Sequence, residues 1–438
     1  MELLRLSLVR QPRQPNKVKM NDKLLHTPDG VRDIYGIECK KKLKIVDKIH
    51  HVLELFSYQD IETPSFEYFD IFNMDKGSAP SNEMYKFFDR NNNTLVLRPD
   101  LTPSVARCVA KYYANEELPI RLCYKGNTFT NAPLHQGKLN ECTQIGGELV
   151  NDDSSAADAE AIACVISCLK ASGLEEFQIE IGEIEFFKGL ISEAGLDLDT
   201  ENKIRDYIHI KNFFGLSEFV ETLDISSEMK LAFTSFETLF GGLDMLERAR
   251  GLVSNSTSLL AIDRMEKVYH ALTNYGYEKY VGFDLGMLNR YNYYTGIVFR
   301  GYTYGTGDAI VKGGRYNNLL AQFGKNAASV GFAIYVDELM MAVSRNKVEV
   351  EVDYSNILVL YDIEYQENAI KLTTSLRNKG KKIELIRKSS KHTVDDYIAY
   401  AGNMHLSGVY HFKSEEDIEV ISVINETTAS IKLGDILH

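Results

Sequence analysis

With 438 residues, 44% of them hydrophobic and 25% charged, the chain has the makeup of an ordinary soluble globular protein with room for two to three domains. Lys and Arg number 49 against 62 Asp and Glu, a net charge of −13, which argues against non-specific nucleic-acid binding because that rests on phosphate neutralisation. No run of eighteen apolar residues is present, so no segment is expected to span a membrane. The six cysteines (Cys39, Cys108, Cys123, Cys142, Cys164, Cys168) form no C-x-x-C pair and have no companion histidine spacing; no metal is expected, and reduced thiols suit a cytoplasmic location.

Residues 1–22 mix Arg, Pro and short apolar runs without an h-region, and read as a disordered extension. LLHTPDGVRDIYGIECKKKLKIVDKIHHVLELFSY then gives a Pro-Asp-Gly turn and a long amphipathic helix, its stripe formed by Ile45, Val46, Ile49, Val52, Leu53 and Leu55. YQDIETPSFEYFDIF reads as a strand stopped at Pro64. TLVLRPDLTPSVAR (Thr94 to Arg107) predicts a strand, a turn bracketed by Pro99 and Pro103, and a short helix, followed by two strands in PIRLCYKGNTFTNAPLHQGKLNECTQIGGELV. Polar groups gather where these strands end: Arg98, Asp100 and Thr102 on one, Gln144 and Glu148 on another. Gln144 and Glu148 lie four apart on an extended segment, so both leave the same face of the sheet. Such a cluster suits a small cationic ligand.

Ala156 to Leu169, preceded by Asp152, Asp153, Ser154 and Ser155 as cap candidates, predicts a helix, and EFQIEIGEIEFF alternates like a strand. From about 187 to 276 the pattern is wholly helical, with glycine stops, as expected of an inserted lobe. Strands return in YVGFDLGML, YYTGIVFRGYTYG and DAIVKGG. YGTGDAIVKGG lacks the order of a phosphate loop and opens no helix. Taken alone, the pair Tyr293 and Tyr294 is ordinary strand packing, and Arg315 in GGRY is open between a site residue and a surface salt bridge. Residues 354–438 alternate strand and helix, as in a small α/β domain with a mixed sheet.

Five stretches, taken together, resemble class II histidyl-tRNA synthetases. LRPDLT resembles the family's LRPEGT, and TFTNAPLHQGKLNECTQIGGE its motif 2; NRYNYYTGIVF and GGRYNNLL resemble the two histidine-specific motifs, and SVGFAIYVDEL resembles motif 3. The strand ending at Pro64 takes the place of motif 1, which forms the dimer in class II enzymes. The resemblance implies an α/β (α+β) fold: a class II synthetase-like antiparallel sheet with flanking helices over 23–345, a helical insertion over about 187–276, and a degenerate anticodon-binding-like domain over 354–438. Acidic Glu415, Glu416, Asp417 and Glu419 in that last domain make tRNA an unexpected partner.

The departures from the family are concentrated on its cations. By position, the motif 2 arginine becomes Thr130, the arginine of RGLDYYTG becomes Asn289, and the motif 3 arginine becomes Glu338. Arg290 stands one place along from Asn289, where a strand would point it to the other face, and Ala132 and Pro133 replace a loop glutamate and arginine. Losing one preorganised donor costs roughly a hundredfold to a thousandfold in rate, so the resemblance implies negligible adenylation. The positions that bind histidine in the family are polar here: Asp100, Thr102, Gln144, Glu148, Tyr293 and Tyr294. This combination resembles the regulatory subunits of short-form ATP phosphoribosyltransferase, which are not enzymes themselves. It implies a homodimer assembled with a catalytic subunit, L-histidine as feedback ligand in histidine biosynthesis, and no cofactor. The alternative is an active histidine-tRNA ligase.

Overall fold

A computed structural model describes residues 25–72, 80–131, 139–288 and 294–437. The expected N-terminal extension, and Ala132, Pro133, Asn289, Arg290 and Tyr293, lie outside the described residues. The chain folds as two compact units, Met1–Val350 and Glu351–His438.

The first unit opens with α1 (Gly36–Leu55), whose buried face is Ile45, Val46, Ile49, Val52 and Leu53. Leu55, expected on that stripe, is exposed; ten residues on from Ile45 at 3.6 per turn places it well round the helix from the buried face. Then come β1 (Gln59–Asp60), β2 (Phe66–Tyr68), β3 (Lys86–Phe88), β4 (Thr94–Leu97), α2 (Thr102–Tyr112), β5 (Ile120–Phe129), β6 (Glu141–Val150), α3 (Ser155–Ala171) and β7 (Phe177–Glu183). A helical lobe follows: α4 (Ile184–Glu193), α5 (Leu198–His209), α6 (Phe213–Glu221), α7 (Ser227–Thr234), a two-residue β8 (Phe240–Gly241), α8 (Asp244–Arg250) and α9 (Ser256–Asn274). The unit closes with β9 (Val281–Asp284), β10 (Ile297–Thr303), β11 (Val311–Arg315), β12 (Ser329–Tyr335) and α10 (Val336–Arg345).

Nine strands make one sheet in the order β1-β5-β6-β12-β11-β10-β7-β9-β8. Its pairs are antiparallel except β1 with β5 and β7 with β9. The segment read as one strand up to Pro64 is split: β1 joins this sheet, whereas β2 joins a separate three-stranded sheet with β4 and β3. Arg98 fixes the crossing between them. Its guanidinium donates to Thr63 O at 2.8 Å, Pro64 O at 3.3 Å and Asn127 O at 2.8 Å, so the buried Thr63 carbonyl of the irregular turn is satisfied and the turn is tied to β5.

Two further expectations shift. EFQIEIGEIEFF does not stay a strand: β7 stops at Glu183, whose carboxylate accepts from Glu185 N as an N-cap, and IEFF turns into α4 with Ile184, Phe186 and Phe187 buried. Within the stretch expected to be wholly helical, residues 227–242 are not one helix. The Thr234 and Ser235 hydroxyls bond back to Lys230 O and Leu231 O at the end of α7, and the chain passes through a 3-10 turn into β8, which pairs with β9.

The second unit comprises β13 (Ile357–Tyr361), α11 (Gln366–Asn378), β14 (Ile383–Arg387), α12 (Val394–Asn403), β15 (Gly408–Phe412), β16 (Asp417–Ser422), β17 (Thr428–Lys432) and α13 (Leu433–Leu437). Its sheet runs β14-β13-β15-β16-β17, parallel in the first three strands and antiparallel beyond. Separate apolar clusters cover the two faces, one built on Leu372 and Phe412, the other on Leu358 and Ala401. Among the described residues no helix is long and apolar enough to cross a membrane.

Candidate functional site

The central strands of the nine-stranded sheet carry a buried acid with three hydroxyls aimed at it. Glu148 sits on β6, paired with Leu122 on one side and Gly331 on the other, and is fully buried. Thr102, at the start of α2, donates its hydroxyl to Glu148 Oε1 at 2.7 Å, and Tyr124 of β5 donates to the same oxygen at 3.3 Å. Tyr316, just past β11, donates to Oε2 in a short hydrogen bond. Burial pushes the Glu148 carboxyl up to about 8; the bonds from Tyr316 and Thr102 pull against that, and the charge of Asp100 adds to it. Room for the carboxylate comes from Gly331, where a Cβ would overlap Oε2.

A cavity of about 260 Å³ lies along the same sheet face, lined among others by Asp100, Thr130, Gln144, Tyr335 and Glu338. Asp100 tops the turn into α2, its Oδ1 accepting from Leu101 N at 2.7 Å. Gln144, four residues before Glu148 on β6, is buried, and its Oε1 has no hydrogen-bond partner among the described residues. A buried acceptor of this kind costs about 1–3 kcal/mol until a donor meets it. Tyr294 packs on Gly314, whose Cβ would lie 2.7 Å from the ring. Its hydroxyl is held well above the usual tyrosine range by burial, then by the charges of Asp100 and Glu148.

The charge lining this cavity is lopsided. Glu83, Asp100, Asp308 and Glu338 face it, against a single described cation, Lys312. Lys312 itself lies 3.5 Å from Asp308 Oδ1 and over the Tyr335 ring at 5.1 Å. Such a lining favours a ligand carrying an ammonium or imidazole and disfavours a triphosphate. Thr130, with its N–H bonded to Asn140 O, and Glu338, in the first turn of α10, stand in the cavity wall.

Of the residues singled out in the sequence, the fold thus brings Asp100, Thr102, Gln144, Glu148 and Tyr294 to one face of the sheet, with Thr130 and Glu338 beside them. Asn289 and Tyr293 lie outside the described residues. Arg98 belongs to the β1–β2 crossing and not to the cluster. Arg315 turns the other way: its guanidinium is buried, 2.7 Å from the buried Asp158 of α3, so its main ion pair lies inside the fold and not on the surface. Tyr316 and Tyr124 were not foreseen. Strand alternation held the signal for Tyr316, because if Arg315 faces one side of GGRY, its neighbour faces the other.

The family model described as histidyl-tRNA synthetase matches residues 30–339. Relatives described as "ATP phosphoribosyltransferase regulatory subunit", from Acetivibrio thermocellus and Ruminiclostridium cellulolyticum, are each 37% identical over 414 residues, covering 94% of this chain and 98% of theirs. A solved structure of an ATP phosphoribosyltransferase regulatory subunit/histidyl-tRNA synthetase from Bacillus halodurans C is 32% identical with a TM-score of 0.80, over 89% of this chain and 98% of that one. The histidyl-tRNA synthetase of Nostoc sp. PCC 7120 shares the fold at 19% identity, with a TM-score of 0.77 over 94% and 98% of the two chains. A synthetase-like sheet with a polar pocket poor in cations, in a chain that spans nearly the whole length of such relatives, has one consistent assignment. This chain belongs to the family of ATP phosphoribosyltransferase regulatory subunits, built on the fold of histidyl-tRNA synthetase.

Proposed function

We propose that this chain acts as the non-catalytic regulatory subunit of a short-form ATP phosphoribosyltransferase, and that L-histidine bound at the Glu148 pocket is the feedback signal it transmits. The observation that carries the reading is Glu148, a buried carboxyl gripped by Thr102, Tyr124 and Tyr316, four residues along β6 from Gln144, which lines a cavity whose described charged groups are four acids against one cation. An imidazole N–H directed at Glu148 takes up the remaining acceptor capacity of the carboxylate. The ammonium group is matched by Asp100 and by the unpartnered Oε1 of Gln144. With Thr130 and Glu338 in the wall where the synthetases of the resemblance carry cations, a pentavalent phosphorus would lack stabilisation, so the reading assigns the pocket to binding without adenylation.

Feedback then requires histidine to favour one state of the assembly over another, with a coupling of typically about 1–3 kcal/mol. The proposal includes a homodimeric regulatory chain, a second unit descended from an anticodon-binding domain, and no role for tRNA. Calorimetric titration of the purified chain tests the core of it. Histidine should bind in preference to other amino acids, and equal affinity in Glu148→Gln would place the site elsewhere.

A further inference from the structure

Away from the Glu148 pocket, three parts of the chain bring a nitrogen, an oxygen and a sulfur ligand to one point. The parallel register of β1 and β5 sets Asp60 directly beside Cys123. The last turns of α1 lie over that pair, with His50 Nε2 2.7 Å from Asp60 Oδ1 and Cys123 Sγ 3.5 Å from the same oxygen. One ligand atom from each residue lies within 4.8 Å of the others. Cys123 is buried, whereas the Asp60 side chain is 72% exposed in the single chain, so within one chain the group is open on one side. On the far edge of the ring, Glu54 Oε1 lies 4.0 Å from His50 Nδ1, the arrangement in which an outer carboxylate orients a metal-bound imidazole.

We propose that His50, Asp60 and Cys123 form a binding site for one divalent ion of the zinc class, with water in the fourth position. Zinc takes this donor set, and bonds of about 2.0–2.3 Å in a tetrahedron give ligand–ligand edges of about 3.3–3.6 Å, which the separations here bracket. Hydrogen bonding alone uses the cluster poorly, since a thiol is a weak donor and Cys123 shares its acceptor oxygen with the imidazole. On binding, the sulfur ligates as thiolate and its proton leaves to solvent. The imidazole turns the Nε2 lone pair to the ion and keeps its proton on Nδ1, facing Glu54. Because the ligands come from α1, β1 and β5, no local spacing announces the site. The ion would staple a strand of only two residues to the sheet and to the helix that covers it.

Cobalt(II) titration of the untagged full chain tests this. A thiolate-to-cobalt charge-transfer band should grow, saturate at one ion per chain and be abolished by added Zn2+, and Zn2+ should raise the melting temperature. Cys123→Ser should eliminate the band, and both it and Asp60→Asn should weaken Zn2+ binding at least as much as the loss of an outer-shell partner does, about 10- to 100-fold. His392→Ala, at an exposed histidine of the second unit, should change nothing. Both ligand variants are nearly isosteric, and circular dichroism verifies their fold; should Cys123→Ser unfold, Asp60→Asn, at an exposed position, carries the same binding readout. Absence of the band in the parent, its persistence in Cys123→Ser, or equal Zn2+ affinity in the parent and Asp60→Asn would overturn the site.

Discussion

Gly331 of β12 lies directly across from Glu148 of β6, and the absence of a side chain there is what lets the Glu148 carboxylate reach its hydroxyl partners. A Cβ at Gly331 would overlap Glu148 Oε2. Gly331→Ala should therefore push the Glu148 carboxyl out of register with Thr102 and Tyr316. Loss of one hydrogen bond to a charged group, about 1.5–3 kcal/mol, corresponds to roughly a 10- to 150-fold weaker histidine affinity. Calorimetry on the parent and Gly331→Ala measures it, and unchanged affinity would mean that Glu148 does not meet the ligand.

The buried acids make stability fall as pH rises. Burial raises Glu148 and Glu183 to about 8 and Glu180 to about 7. Between an ordinary glutamate value of about 4.3 and these values, the folded chain holds protons that the unfolded chain has released. Glu148 and Glu183, both buried, each lower stability by up to about 1.4 kcal/mol per pH unit through that window, and the half-buried Glu180 by less. Urea unfolding of the ligand-free chain between about pH 5 and 8 should show the decline, and Glu148→Gln should flatten it. An identical slope in the variant would show that Glu148 is already ionised in the folded protein.

No histidine-dependent exchange of pyrophosphate into ATP is expected from the purified chain. Thr130 and Glu338 stand in the cavity wall, and the described lining carries a single cation. Turnover of about one per second or more, near the low end of ordinary enzymes, would establish the ligase reading in place of the regulatory one.

Mixing with the cognate short-form catalytic subunit should raise phosphoribosyl-ATP synthesis and make it histidine-sensitive. Glu148→Ala should keep the activation and lose the inhibition, because Glu148 is fully buried and touches no surface that a partner could cover. Steady-state rates with and without histidine separate the two effects. Persistent inhibition over the same concentration range would assign the feedback site to the catalytic subunit.

The parts of this site that share a strand or a turn were legible in the sequence. Gln144 and Glu148 fall on one face because strands alternate, and Asp100 and Thr102 stand at the head of α2 because a proline-bracketed turn leads into it. What was hidden depends on which strands become neighbours. Tyr124 and Tyr316 reach Glu148 only because β5 pairs with β6 and β12 lies between β6 and β11, and no local period encodes that order. Arg98 looked like a member of the cluster because it is polar and adjacent, but the carbonyls of Thr63 and Pro64 claim it. At Ile184 a strand-like alternation gives way to a helix because the Glu183 cap supplies an acceptor that period-two patterning does not register.

Asp158 receives two guanidiniums, Arg315 of β11 on one oxygen and Arg264 of α9 on the other, at 2.7 Å each. One of these belongs to the sheet and the other to the last helix of the inserted lobe. The lobe is consequently not a cassette that protein engineering can excise and splice over. Cutting it out removes Arg264 and strips the buried carboxylate of half its counter-charge, and breaking a buried ionic arrangement on one side costs about 3–5 kcal/mol. A minimal version of this chain would need Asp158 redesigned together with the deletion, or would have to keep α9 and dispense only with the helices before it.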